Sequence, residues 1–207
     1  MNANWKLAVE NYCECYHCAP SHPEYSRGHS LADPDEKHAD AYERIHQDAV
    51  ACGLSEVQLD KKYRDAPGFG AGYGYGRYPM VRGHVTGSRD GKPVAPLLGS
   101  ITDYFGGCTD IEVGPVTFGL AYPDYVVIYA FKPLGRDRAD CDITWLVRGD
   151  AEEGKDYDRD QLVWLWDVTT QADKRIIERN AEGVASRFYE PGPLSPVMEY
   201  YLSLIHI

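Results

Sequence analysis

The sequence predicts an α+β domain: a curved antiparallel sheet packed against one long helix near the C-terminus. Three observations predict it. Residues 81–86, 110–116, 125–133 and 140–148 are short segments rich in β-branched and aromatic residues, punctuated by Gly, Pro and Asp. The gaps between them are too short for crossover helices, so neighbouring strands must run antiparallel. A run without Gly or Pro from about 158 to 182 then carries helical periodicity, which the PGPLSP segment at 191–196 stops, giving a helix of about 158–185.

Taken in order, residues 4–18 (NWKLAVENYCECYHC) read as a helix with a broad apolar side of Trp5, Leu7, Ala8, Tyr12, Cys15 and Tyr16. Pro20 and Pro23 end regular helix soon after. A short helix is expected from Asp35 to His46, opened by the acids of DPDE. Residues 64–80 (RDAPGFGAGYGYGRYPM) read as a surface or pocket-rim loop. They are no phosphate loop, because the GK[ST] ending is missing. No internal repeat is present. Residues 1–200 form one domain, and the closing YLSLIHI (201–207) reads as a truncated or non-native tail, which removes His206 from consideration.

Composition narrows the function classes. The net charge of -11, with no Lys/Arg cluster, argues against a nucleic-acid partner. No apolar run is long enough for a membrane span, and MNANWKLAVENY lacks the features of a secretory signal. A cytoplasmic protein is therefore expected, with its six cysteines as reduced thiols although Cys13, Cys15 and Cys18 crowd one segment.

The most informative stretch is ECYHCAPSH, residues 14–22. His17 and His22 are five residues apart, about 140° around an ideal helix, so they cannot share one helical face. If the helix stops after His17, the prolines let the chain turn and bring His22 back to the same point, where two imidazoles bind a divalent ion. Zinc held by Cys13, Cys15 or Cys18 is the alternative, although C-x-C-x-x-C within a helix does not match separated zinc knuckles. A third ligand comes from elsewhere. The late helix has a stripe of Leu162, Trp166, Thr169, Ile176, Ile177 and Val184, and Asp173 falls within it. A carboxylate there is paired, coordinated or partly exposed; Lys174 and Arg175 are the candidate ion-pair partners. His17, His22 and Asp173 together make a two-His, one-carboxylate set that suits Fe(II). Zinc hydrolysis uses a similar set, but no H-E-x-x-H segment or adjoining Glu base is present.

Two segments resemble a known family. NWKLAVENYCECYHCAPSHPEYS resembles the start of the catalytic domain in the large (alpha) subunits of Rieske non-haem iron oxygenases, the aromatic-ring-hydroxylating family. LWDVTTQADKRIIERNAEGVASRFYEPGPLSP resembles that domain's late helix, in the branch that includes oxygenases of quaternary ammonium compounds. The resemblance implies a helix-grip fold, mononuclear Fe(II) on His17, His22 and Asp173, and Asn11 hydrogen-bonding near the iron. It implies that Glu14 bridges to a cluster-ligating histidine of a neighbouring subunit, within a homotrimer. Tyr16 is expected in the core. His29 fits no ligand spacing and is expected at the surface or as a support. Phe118, Tyr122, Tyr125 and Tyr129 are candidate pocket aromatics.

The family's [2Fe–2S] ligands follow C-x-H, a long gap, then C-x-x-H. Cys15-Tyr16-His17 supplies the first pattern, but no C-x-x-H lies downstream, since Cys18 and His22 are one residue too far apart. No residue of this chain is therefore expected to hold the cluster, and the Rieske domain is expected to precede Met1. The implied activity inserts oxygen from O₂ into a small organic substrate, by hydroxylation, dihydroxylation or oxidative N-demethylation. Electrons come from NAD(P)H through a reductase, directly or by way of a ferredoxin. A zinc hydrolase and a non-catalytic binding module of the same shape are the rival readings; Asp173 pointing away from both histidines would favour the latter.

Overall fold

The computed structural model describes residues 1–29, 36–56 and 73–193. Helices α1 (Trp5–Cys13), α2 (Cys18–Ser21), α3 (Pro23–Ser26) and α4 (Glu36–Ala51) precede a sheet of β1 (Tyr73–Pro79), β2 (Gly107–Val113), β3 (Thr117–Ala121), β4 (Val126–Pro133) and β5 (Ala139–Leu146). Helix α5 (Arg159–Val184) follows. The sheet order is β1-β2-β3-β4-β5, with every neighbouring pair antiparallel. The expected class is thus the observed one: an antiparallel sheet against a long late helix.

Strand chemistry sets the faces. Along β4 the burial alternates, so Val127, Tyr129 and Phe131 point to one side. In the cross-strand register Val127 faces Leu120 and Trp145, and Tyr129 faces Phe118 and Ile143. The β2–β3 connection is tight because Gly114 adopts a positive φ of 62°. Gly107 is required for another reason. A Cβ there would lie 2.6 Å from the Ile45 side chain and 2.7 Å from the Tyr78 carbonyl, where α4 closes on the sheet.

Helices α1 and α5 pack on each other, and α1 also packs on β4 and β5. Asp158 caps α5, its side chain accepting from Gln161 N at 2.9 Å. The buried stripe of α5 is Leu162, Leu165, Trp166, Thr169, Ala172 and Ile177. Ile176 and Val184 are only half-buried. Leu165, fully enclosed, contributes roughly 1.5–3 kcal/mol by burial.

Several expectations are corrected. The first helix ends at Cys13, not Cys18, because Glu14 turns to extended backbone (φ -117°, ψ 168°). The second expected helix runs longer, to Ala51. Residues 73–79 of the expected loop form β1, pairing with β2 through every position; residues 64–72 lie outside the described residues. The expected strand at 81–86 is turn and irregular chain whose Thr86 hydroxyl is spent on Asp124 at 2.5 Å. β3, Thr117–Ala121, was not expected. The tail 201–207 lies outside the described residues, and among those described no helix is long and apolar enough to cross a membrane.

Candidate metal centre

The site is built where α1 breaks. Asn11 is on the last turn of α1, Glu14 is the extended residue after it, and His17 sits in the turn before α2. His22 is the hinge between α2 and α3, where Pro23 opens the next turn. Its carbonyl is held by the Ser26 hydroxyl at 2.9 Å. Asp173 reaches across from the middle of α5, next to the buried Ala172.

These side chains converge on one atom. Asp173 Oδ1 lies 2.9 Å from His22 Nε2, 3.1 Å from His17 Nε2 and 2.9 Å from Asn11 Nδ2, which donates to it. The two imidazoles stand nearly edge-on, centroids 5.0 Å apart at 81°. One ligand atom from each of His17, His22 and Asp173 lies within 4.8 Å of the others, the one such group of three among the described residues.

Two imidazoles and a carboxylate suit a divalent ion, and two of the three edges of the set match an octahedron. Neighbouring corners of an octahedron with bonds of about 2.1 Å are about 3.0 Å apart, which is the spacing from Asp173 Oδ1 to both nitrogens. His17 Nδ1 faces Glu14 Oε1 at 2.6 Å, so its Nε2 is the nitrogen left for an ion. The other Glu14 oxygen accepts the Tyr16 N–H, which fixes the carboxylate. His22 is 2% exposed, and its Nδ1 has no hydrogen-bond partner. That orphan leaves Nε2 as the nitrogen aimed into the site.

Without an ion, the carboxylates and imidazoles share charge. Hydrogen bonds that His17 donates to Asp173 and Glu14 raise its pKa to about 9, against the opposing effect of burial. Burial pushes Asp173 upward, but the bonds from His17, His22 and Asn11 together hold it below its ordinary value. Among the described residues Asp173 makes no ion pair with Lys174 or Arg175, and both of these neighbours are exposed. It points toward both histidines, against the condition that would favour a non-catalytic module.

The cysteines depart from expectation. Cys15 and Cys18 are joined in a disulfide, because the turn brings their Cα atoms to 5.0 Å. Six reduced thiols are therefore not what the fold holds, and neither sulfur is a thiolate for zinc. The Cys13 thiol is pushed up to about 12 by burial. The C-x-x-C spacing was the available signal for this pairing. Tyr16, expected in the core, is 57% exposed, because the helix that would have turned it inward has ended. His29 is not at the surface: it is 5% exposed, with Nδ1 3.0 Å from the Tyr25 carbonyl and Nε2 2.7 Å from the Tyr122 hydroxyl. Phe118, Tyr122, Tyr125 and Tyr129 are all buried in the core around Trp166. Tyr12, stacked on Phe118 at 4.3 Å, extends that aromatic wall and leaves its hydroxyl buried without a partner.

Residues 1–203 match the family model described as "Ring hydroxylating alpha subunit (catalytic domain)", and the chain belongs to that family. Within it, the chain is 33% identical over 199 residues to the glycine betaine monooxygenase oxygenase subunit of Chromohalobacter salexigens, covering 96% of this chain and 44% of that protein. The corresponding subunit of Pseudomonas aeruginosa is also 33% identical over 199 residues, with 46% of it covered. A segment of 24 residues is 67% identical to the carnitine monooxygenase oxygenase subunit of Escherichia coli K12, 12% of this chain and 6% of that one. The fold agrees with a solved quaternary ammonium Rieske monooxygenase at a TM-score of 0.52 and 18% identity, over 92% of this chain and 40% of that one. The chain thus spans under half the length of the relatives it matches, which are oxygenase subunits of O₂-dependent oxidoreductases.

Proposed function

We propose that this chain is the catalytic domain of a Rieske-type non-haem iron monooxygenase that hydroxylates a small quaternary ammonium compound. The observation that carries the reading is Asp173 Oδ1 standing 2.9 Å from His22 Nε2 and 3.1 Å from His17 Nε2, with one ligand atom of each residue within 4.8 Å of the others, a set we read as three ligands for Fe(II). Relatives named for glycine betaine and carnitine support this substrate class over an aromatic ring. The sheet closed over α5 is read as a helix-grip cup.

Bound there, ferrous iron supplies the activation of O₂ that no side chain provides. The chain's part is binding, orientation and exclusion of water. Glu14 holds His17 Nδ1 and thereby fixes the ring's tilt and leaves Nε2 as a lone-pair donor. Asn11 donates to Asp173 Oδ1 and steadies the carboxylate. Tyr12, Phe118 and Tyr129 form a packed aromatic cluster in the core, and aromatic faces of this kind suit a trimethylammonium group. In the whole protein, electrons from NAD(P)H pass through a reductase, directly or by a ferredoxin, to a [2Fe–2S] cluster held outside these residues. Glu14 is where this route enters the metal site, bridging to a cluster-ligating histidine of a neighbouring subunit in a homotrimer, and the assembly is cytoplasmic.

The test uses the full-length protein with its reductase. O₂ consumption should depend on glycine betaine or carnitine, with iron near one mononuclear equivalent beyond the cluster's two. His22→Ala should abolish uptake and lose that third iron while keeping the cluster's absorbance. Zinc in place of iron in freshly isolated protein, with no substrate-dependent uptake, would overturn the reading in favour of a hydrolase.

A further inference from the structure

Two of the six cysteines are joined and four are free: the pair is Cys15–Cys18. The ring they close encloses only Tyr16 and His17. On one side stands Glu14, whose carboxylate takes the Tyr16 N–H and His17 Nδ1. On the other, α2 begins at Cys18, with Cys18 N donating to Cys15 O at 3.2 Å and Ser21 N to His17 O at 2.9 Å. The backbone freedom that aims His17 Nε2 at Asp173 therefore runs through this four-residue ring.

The placement suits exchange. Cys18 is buried, whereas Cys15 is half-buried beside the exposed Tyr16, so Cys15 is the member of the pair nearer solvent. C-x-x-C is also the spacing at which dithiols close and open reversibly. The free cysteines differ: Cys108 is buried, and Cys13, Cys52 and Cys141 stand unpaired with thiols that burial makes harder to ionise.

We propose that Cys15 and Cys18 form a reversible thiol–disulfide site, closed by a low-molecular-weight disulfide, that governs how firmly His17 is held in the metal centre. The inference rests on the reading of His17, His22 and Asp173 as metal ligands. In the closing reaction the Cys15 thiolate attacks one sulfur of the small disulfide, whose S–S bond breaks and releases a first thiol. Cys18 attacks the Cys15 sulfur of the mixed disulfide and releases the second. The protein pair gives up two protons and two electrons, and the small disulfide gains both. Excess small thiol reverses each step. Opening the ring returns to the α1–α2 turn a freedom that metal binding must then remove, so the open form binds metal more weakly.

The test uses the full chain, equilibrated anaerobically in reduced and oxidised glutathione at graded ratios, then alkylated and peptide-mapped. The two states, freed of glutathione, are titrated with Co(II) by its visible absorption. Expected is one two-electron transition confined to Cys15 and Cys18, with Co(II) bound at least about fivefold more tightly by the closed form. The Cys15→Ser, Cys18→Ser double variant should bind like the open form and ignore glutathione, whereas Cys13→Ser should keep the response. Alkylation of both cysteines at every ratio overturns the proposal. So does a disulfide that forms with equal Co(II) affinity in both states, an outcome that leaves the metal centre standing. Thiolate-to-cobalt absorption in the open form also overturns it, since the sulfurs would then be ligands. No Co(II) binding in either state, with His22→Ala indistinguishable, overturns the metal reading and this one together.

Discussion

Three histidines lie between residues 17 and 29, and the fold treats them in two ways. His29 is stacked on Tyr25 at 3.9 Å and spends both ring nitrogens on the protein. Nδ1–H donates to the Tyr25 carbonyl, and Nε2 accepts from the Tyr122 hydroxyl. Burial lowers its pKa to about 4, so it is a neutral packing residue. His17 and His22 instead direct Nε2 at one carboxylate oxygen, and the carboxylates beside His17 raise it to about 9. What separates a structural histidine from a candidate ligand here is not depth, since His22 at 2% is more buried than His29 at 5%. The distinction is whether a ring nitrogen is left facing a shared point.

The widest separation between the two corners should appear in metal binding. His22→Ala and Asp173→Asn each remove one of three donors and should weaken Fe(II) or Co(II) binding by more than about a thousandfold, beyond the 10–100-fold typical of an outer partner. His29→Phe should leave the affinity unchanged within about twofold, as expected of a group outside the donor set. Metal analysis and cobalt titration on the three variants check this. Equal losses in all three would erase the distinction.

Stability against pH should invert the ranking. His29 has a folded pKa of about 4 against 6.5 when unfolded, so the unfolded chain takes up the proton first as pH falls. Its contribution is fully present above about 6.5 and is lost as pH drops toward 4, up to about 3 kcal/mol. Urea midpoints of the metal-free protein measured across that range should fall accordingly, and the His29→Phe variant should lose that part of the slope. The same variant should cost about 1–3 kcal/mol at neutral pH, because the Tyr122 hydroxyl and Tyr25 carbonyl lose their partner.

How much of this was legible in the sequence depends on how far apart the deciding atoms are. Asp173 was readable because α5 is long and its period is regular over many turns. The return of His22 to His17 was readable because the prolines forbid a continued helix. The end of α1 was not, because nothing between Asn11 and Cys18 is a poor helix former strong enough to mark Cys13 as the last residue. The break is fixed by Glu14 reaching His17, a contact that only the folded turn creates. Tyr16 and the Cys15–Cys18 bond follow from that unseen break. β1 was hidden by its alternating glycines, which weaken strand propensity, and it forms because β2 offers a complete ladder. Residues 81–86 failed the other way: their Val and Thr suit a strand, but Asp124 captures Thr86.

Within the metal corner a finer gradation is expected between residues that donate to the ion and those that hold the donors. Glu14→Gln keeps an acceptor for His17 Nδ1 and removes the charge. The metal-free His17 pKa should fall from about 9 toward its ordinary 6.5, and metal affinity should drop about tenfold. Imidazole titration by NMR together with cobalt binding reads both. A drop as large as that of His22→Ala would make Glu14 a ligand in its own right.

Asn11 should give the smallest effect. Its Nδ2 donates to Asp173 Oδ1 at 2.9 Å and lies 3.5 Å from His17 Nε2, so the group that touches two members of the set is an amide nitrogen, which is no metal ligand. Asn11→Ala removes one of three hydrogen bonds to a carboxylate that still has side-chain exposure of 23%, so water can replace the amide. The loss should be near that of one ordinary hydrogen bond, about 1 kcal/mol or some fivefold in metal affinity. Asn11→Asp should do worse than Asn11→Ala, because it sets a second carboxylate against Asp173 and the two then share a proton in the metal-free state. If alanine proved the more damaging of the two, the amide would be positioning the carboxylate by shape rather than by its donated proton, and the ranking of holders below ligands would need to be redrawn around Asn11.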